Sequence, residues 1–482
     1  MAIRKNHLLR DNDIRKFITN GYVQVNAGLP MDFHQNLCRN IETVFKEEGN
    51  PGNNILPRIP DLQRVFEQPA VRGALTSLLG PGYLMHPHRY CHLNKPGSSG
   101  QQWHKDDYIF DQNVRHARCR WLMAFYYPQD VNMEMGPTGI LPGMQHHNQI
   151  SDCDASKSTE SELSLCGSAG TVSIVNFDSW HRATENVSAK NRYMLKFQFT
   201  RTQEPTAPTW ENEIPNWKSA TNEALPAVSE SVWNWMTGGA CDTAENNGMT
   251  IEKGLAKMDD PDESVRLQAA YCLGSKGKQA VEPLIERLCA ISEEEALANV
   301  PKNPANPTGG NPSELPTAYG LSAIGPPAVE PLKKLLENDA WWLRATAADI
   351  LGDIGVPAQS ALPLLLHSLS DRNAWVRRNG SEALGIIGGF GTNDVSKIQE
   401  ALRDEDERVR RNVAYALAKH PFQNKDLIAD LVTLSVNDAG RYVRHYALAA
   451  LSRVMTRKGH EALGEAMLAS RWCPLTTRAS AF

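Results

Sequence analysis

The sequence predicts two unlike domains in one chain: an N-terminal barrel or double-sheet roll with helices packed outside it, then an all-α solenoid. Three observations carry this. Short β-branched and aromatic runs bounded by turn residues crowd the first two hundred positions. A Val-Arg or Leu-Arg pair then recurs with a period near 33 residues through the C-terminal half. Between them, residues 203–248 change composition, with Trp210, Trp217, Trp233 and Trp235 set among prolines and acidic residues. The predicted division is therefore 1–202, a connector at 203–248, and 249–482. A length of 482 residues is about three average domains or two large ones.

In the first domain, helical stretches around 31–48 and 60–79 are read as sitting before the strands, which are placed at 21–25, 83–93, 118–127, 170–177 and 193–199. Many short strands after a helical segment suit a roll with helices on its outer face. The tryptophan-rich connector reads first as mortar between domains, since tryptophan brings large apolar area with one polar handle. In the second domain the pairs are Val265-Arg266, Leu343-Arg344, Val376-Arg377, Val409-Arg410 and Val443-Arg444, the last four spaced by 33, 33 and 34 residues. Each is followed by a helix of small residues and preceded by an acidic turn, as in Asp371-Arg372-Asn373 and Asp404-Glu405-Asp406. A degenerate unit at 317–325, behind a Pro/Asn/Gly-rich insertion at 300–316, brings the count to about six, enough to bury a shared core. These units resemble HEAT repeats of the short form, with D-x-x-x-x-V-R and A-x-x-A-L-G. Their arginines are expected to be structural, tying neighbouring units through aspartates.

Composition narrows the function classes. The formal net charge is −5 and 41% of residues are hydrophobic, which argues against a binder of nucleic acid relying on phosphate neutralisation. No apolar run is long enough to span a membrane. Charges at the N-terminus stand where a signal peptide needs its apolar core, and Asp11 and Asp13 disfavour a transit peptide. The C-terminus is not a peroxisomal S-K-L address. Nine scattered cysteines without a C-x-x-C pair point to a reducing compartment, and the expected location is the cytoplasm.

The chemistry concentrates in Gln101-Gln102-Trp103-His104-Lys105-Asp106-Asp107. His104 and Asp106 are two apart, so an extended chain turns both side chains to one face. An imidazole beside a carboxylate gives two facial ligands to a mid-row metal, with the hard oxygen favouring Fe(II). His181, directly after the apolar run 170–177, is the candidate third ligand. Two histidines and one carboxylate leave three coordination positions for substrates. Arg192 opens a further apolar strand, where a guanidinium is costly unless it meets a carboxylate. A keto acid that chelates iron at one end and pairs with arginine at the other meets that need.

Together with K-P-G at 95–97, the stretch 136–146 and H-x-x-T-x-N…N-R, this array resembles the phytanoyl-CoA dioxygenase family of Fe(II)/2-oxoglutarate oxygenases, over roughly residues 10–202. The resemblance implies a double-stranded β-helix (jelly-roll) in which His104, Asp106 and His181 hold iron and Arg192 grips the far carboxylate of 2-oxoglutarate. It further implies an aromatic contact to the co-substrate from Trp121 and a hydroxyl from Thr184. O2 is then the oxidant and hydroxylation the outcome, with succinate and CO2 as co-products. Two positions depart from the family: Pro142-Gly143-Met144-Gln145-His146 replaces P-G-S-H, and Lys105 replaces a neutral amide donor. Asp106 is intact, which disfavours the related halogenases that lack it.

Three readings of purpose stay open. One is a small-molecule hydroxylase whose solenoid braces or covers the roll or mediates self-association. Another is a hydroxylase acting on a protein partner recruited by the solenoid. The last is a non-catalytic binding scaffold. Arg89, Tyr108 and Arg120, among several histidines, suggest a polar site suited to a small anionic or zwitterionic substrate.

Overall fold

The computed structural model describes residues 4–106, 116–150, 162–220, 223–239, 248–298, 311–312, 315–421, 424–454 and 456–469. Nine strands are described: β1 (Tyr22–Asn26), β2 (Leu84–Met85), β3 (Tyr90–Asn94), β4 (Trp121–Tyr126), β5 (Thr138–Ile140), β6 (Leu163–Leu165), β7 (Thr171–Asn176), β8 (His181–Ala183) and β9 (Arg192–Thr200). Six form an antiparallel sheet in the order β1-β7-β4-β9-β2, with β3 also paired to β9, and three form a small sheet in the order β6-β5-β8. This is the double-stranded β-helix, followed by a helical HEAT region.

Alternation along β9 explains how one strand serves both a core and a site. Tyr193, Phe197 and Phe199 point outward onto helices: Phe197 and Phe199 lie 4.3 and 5.5 Å from Phe66, and Tyr193 lies 5.6 Å from Phe45. Arg192, Met194 and Lys196 fall on the other face and line an open cavity, which Tyr193 and Phe45 also border.

Two expected elements are broken by proline. The helical stretch at 60–79 is two helices, Leu62–Glu67 and Pro69–Leu79, because Pro69 disfavours helical geometry at Gln68, which is extended at φ −63° and ψ 142°. The strand expected at 83–93 splits into β2 and β3 around Pro87, which has no amide hydrogen for the ladder. Among the described residues, no helix is long and apolar enough to cross a membrane.

In the solenoid, the recurrent arginines form a ladder. Arg344 reaches Asp371, Arg377 reaches Asp404 and Arg410 reaches Asp438, each through Nε at 2.7 Å with a second bond from Nη2. Their Nη1 atoms bind carbonyls of the preceding turn, so each arginine joins two units. Arg377→Ala would leave Asp404 half-buried without its fork. A loss of about 3 kcal/mol or more is expected, read as a lowered urea midpoint by circular dichroism; an unchanged midpoint would remove the ladder from the account of stability.

The solenoid is packed closely on the roll. Arg120 of the roll donates from Nε and Nη2 to both oxygens of Glu204 at 3.0 and 2.9 Å, and from Nη1 to Asp353 of the solenoid at 2.6 Å. His116 Nε2 lies 2.7 Å from Asp349 Oδ2. Tyr415 sits 2.5 Å from the Thr200 hydroxyl and donates to the Arg201 carbonyl at 2.8 Å. The connector joins in: Trp233 is buried against Trp210 and Trp217 at 5.4 and 5.6 Å. The Trp235 ring carries Arg120 and Arg201 at 5.4 and 5.0 Å.

Candidate metal centre

His104 and His181 come together through a two-residue antiparallel bridge. The His104 amide donates to the His181 carbonyl at 3.1 Å and receives the reverse bond at 3.0 Å. This brings the rings to 4.4 Å between centroids. Each imidazole places Nδ1 on the carbonyl two residues earlier, His104 on Gln102 at 3.0 Å and His181 on Ser179 at 3.1 Å. Since a carbonyl only accepts, Nδ1 carries the proton and Nε2 is left as a bare ligand. Burial pushes the His181 pKa down to about 4 against the opposing charge of Asp106, so this ring is neutral at pH 7, as a ligand must be.

Asp106 completes the set. Its Oδ1 lies 3.8 Å from His181 Nε2, while Oδ2 accepts from Lys196 Nζ at 2.7 Å. Burial alone would raise this carboxyl, but Lys196 and His181 outweigh it and hold the group well below the usual carboxylate range. Ligand atoms of His104, Asp106 and His181 all lie within 4.8 Å of one another. Two nitrogens and one carboxylate oxygen on one face fit Fe(II).

Arg192 stands on the same cavity wall, almost fully buried. Nε and Nη2 donate to the Gly136 carbonyl at 3.0 and 2.7 Å, and Nη1 has no hydrogen-bond partner among the described residues. No carboxylate pairs with it among those residues, and burial pushes its pKa down. A buried guanidinium so placed is suited to an incoming carboxylate. Gly136 makes this possible: its φ is +66°, and a Cβ there would lie 2.4 Å from Asn94 Nδ2 and 2.6 Å from the Thr184 carbonyl.

The structure thus gathers His104, Asp106, His181 and Arg192 around one cavity of about 980 Å3. Trp121 and Thr184 are not among its lining residues. Trp121 is buried where roll meets solenoid, 5.3 Å from His86 and 6.2 Å from Tyr415. Thr184 donates its hydroxyl to the Pro137 carbonyl at 2.8 Å, holding the turn after β8. Arg120, expected at a polar site, is instead consumed by Glu204 and Asp353 at the domain boundary, where two carboxylates outcompete the cavity for its fork. Arg89 is likewise absent from the lining, and Tyr108 lies outside the described residues.

The cavity wall also carries His92, one of the several histidines expected at a polar site, and Lys196, which is not among the expected site residues. A signal for Lys196 existed: it follows Arg192 by four on the same apolar strand, so it shares a face and needs an anion. Lys105, the departure from the family pattern, joins two segments of the site. Its Nζ donates to Asp178 Oδ2 at 2.7 Å and to the Gln145 carbonyl at 3.2 Å, tying the His104–Asp106 segment to the turn that leads into His181. Lys105→Met is expected to weaken metal affinity about 10- to 100-fold by loosening the spacing between the two ligand segments. Equilibrium titration with Fe(II) under argon measures this, and wild-type affinity would assign Lys105 to stability alone.

Residues 39–194 match the phytanoyl-CoA dioxygenase (PhyH) family, and residues 329–397 and 381–452 match HEAT repeats. No curated protein matches the sequence. Solved structures resemble a part of the chain. The non-heme α-ketoglutarate-dependent carbocyclase SnoK from nogalamycin biosynthesis is 17% identical over 42% of this chain and 88% of its own, with a TM-score of 0.35. AviO1 from Streptomyces viridochromogenes is 14% identical over 42% and 96%, at 0.33. EctD from S. alaskensis is 13% identical over 45% and 85%, at 0.35.

Proposed function

We propose that this chain, which carries a phytanoyl-CoA dioxygenase domain with HEAT repeats behind it and is an Fe(II)/2-oxoglutarate oxygenase, hydroxylates an unactivated C–H bond of a small-molecule metabolite. One observation carries the reading: a His-Asp-His set and a buried arginine without a carboxylate partner among the described residues share one open cavity. His104, Asp106 and His181 would hold the iron, and Arg192 the distal carboxylate of 2-oxoglutarate. Bound there with O2, the metal and keto acid supply oxidative decarboxylation to succinate and CO2 and transfer of hydroxyl to carbon.

The residues of this chain orient and exclude. Gln102 and Ser179 carbonyls fix the two imidazoles, Lys196 holds the outer oxygen of Asp106, and Asn94 with Arg192 converges on the Gly136 carbonyl. Favouring a small molecule over a recruited polypeptide is the use the solenoid makes of its side chains: Asp353, Tyr415 and Tyr442 are engaged with the roll. Its role in this reading is to brace the oxygenase domain. The six described cysteines are free thiols, which supports a reducing compartment, the cytoplasm.

Anaerobic titration of the full chain with Fe(II) and 2-oxoglutarate tests the proposal through the weak visible charge-transfer band. Wild type is expected to show it, and Arg192→Gln to need about 10- to 100-fold more 2-oxoglutarate, since a charged hydrogen-bonded pair is worth about 1.5–3 kcal/mol. A folded protein without the band would overturn the reading.

A further inference from the structure

Strands β3 and β9 build one wall of the cavity, and the polar residue at its centre is unpartnered among the described residues. Residues directly opposite in an antiparallel pair share a face. The register sets Tyr90 against Lys196, His92 against Met194 and Asn94 against Arg192, and all six line the cavity. At one end of this wall, Asn94 Nδ2 and Arg192 both donate to the Gly136 carbonyl. At the other, Lys196 donates to Asp106 at 2.7 Å. His92, between them, has no hydrogen-bond partner at either ring nitrogen among the described residues, and its Nε2 is sealed from solvent. Tyr90 packs its ring 4.8 Å from the imidazole. A sealed nitrogen without a partner is costlier as an N–H donor than as a bare acceptor, since orphaned buried donors are the rarer of the two. The proton therefore sits on Nδ1, which is not sealed, and His92 presents one N–H to the cavity.

We propose that His92 is a co-substrate-binding residue, its ring N–H donating to a carboxylate oxygen of 2-oxoglutarate between Arg192 and the metal ligands; this rests on the reading of the site given above. Arg192 is suited to the distal carboxylate, and Lys196 marks the metal end because it holds Asp106. A keto acid anchored at both ends crosses the register position of Met194, and His92 stands opposite that position on the same face. A carboxylate only accepts, so it takes the N–H that the described residues leave unused. An apolar side chain of similar size would avoid the cost of the sealed Nε2. The imidazole at this position is explained by what its open nitrogen binds.

Anaerobic titration of the full chain, first with Fe(II) and then with 2-oxoglutarate, tests this without turnover. His92→Leu is expected to bind Fe(II) alone as wild type does, and to need about 10-fold more 2-oxoglutarate to reach half of the charge-transfer band. The same variant, free of metal, should melt at or above the wild-type temperature, because the sealed nitrogen is gone. A merely structural His92 would move the two readings the other way, with a lower melting temperature and unchanged 2-oxoglutarate affinity. His92→Gln, which keeps an N–H donor, should recover much of the affinity. Wild-type affinity for 2-oxoglutarate in His92→Leu overturns the proposal, and so does loss of Fe(II) binding in that variant. If leucine does not fold, His92→Phe, which keeps a ring against Tyr90 and removes both nitrogens, gives the same readings. A wild type without the band would overturn the site reading and this inference together, an outcome distinct from a wild type with the band and a variant that matches it.

Discussion

Asp106→Ala is expected to abolish metal binding and turnover together, and to destabilise the metal-free protein as well. The first effect follows from losing the oxygen of a three-ligand set, a larger change than the 10- to 100-fold typical of outer partners. The second follows from Lys196. Its ammonium is buried 2.7 Å from Asp106 Oδ2, and alanine would leave that charge without its close anion, at a cost of about 3–5 kcal/mol. Asp106→Asn separates the two effects only partly, since a neutral amide still accepts from Lys196 but binds metal poorly. The checks are Fe(II) stoichiometry under argon and calorimetry of the metal-free protein. Full stoichiometry in Asp106→Ala would remove it from the ligand set.

Arg120→Met is expected to give the largest stability loss in the chain. Methionine fills much of the volume but leaves Glu204 and Asp353 buried without the fork that both share. Breaking such a pair costs about 3–5 kcal/mol, and here one cation serves two acids. The loss should appear as earlier separation of the two domains, read as a shifted or split calorimetric transition. Arg120→Lys should not rescue it, because one ammonium cannot reproduce the bidentate contact to Glu204 along with the bond to Asp353. A single transition at the wild-type temperature would contradict the assignment.

The same boundary carries a pH dependence. Burial disfavours the charged form of His116, but Asp349 and Asp353 outweigh it and raise its pKa to about 10. With the folded pKa above the ordinary 6.5, its contribution to stability is full below pH 6.5 and is lost as pH rises through 10. Wild type should therefore lose stability between pH 7 and 10, and His116→Gln should flatten that slope.

Periodicity and local spacing were legible in the sequence because they are local properties. The 33-residue repeat announced the solenoid, and its Val-Arg pairs became the ladder from Arg344 to Asp438. His104 and Asp106 were readable as a pair because an extended backbone fixes which face each side chain takes, and Arg192 was readable because an unpaired guanidinium on an apolar strand requires an anion. The two broken elements, at Pro69 and Pro87, also had their signal in the sequence, though the apolar runs on either side masked it.

Pairing at a distance belonged to the tertiary structure. Arg120 looks like any arginine before a strand until Asp353, 233 residues away, is brought to it. Lys105 is an unremarkable lysine until the fold sets it on Asp178, and Lys196, which needs an anion wherever its strand lies, has that anion named as Asp106 only by the fold. Trp121 is an aromatic on a central strand in either account, and only the docking of Tyr415 decides that it faces the solenoid. The sequence by itself determined which side chains had to find a counter-charge or a metal, since burying them otherwise is too costly. Which partner each one found was decided by the closure of the roll and the docking of the solenoid, because both bring together residues far apart in the chain.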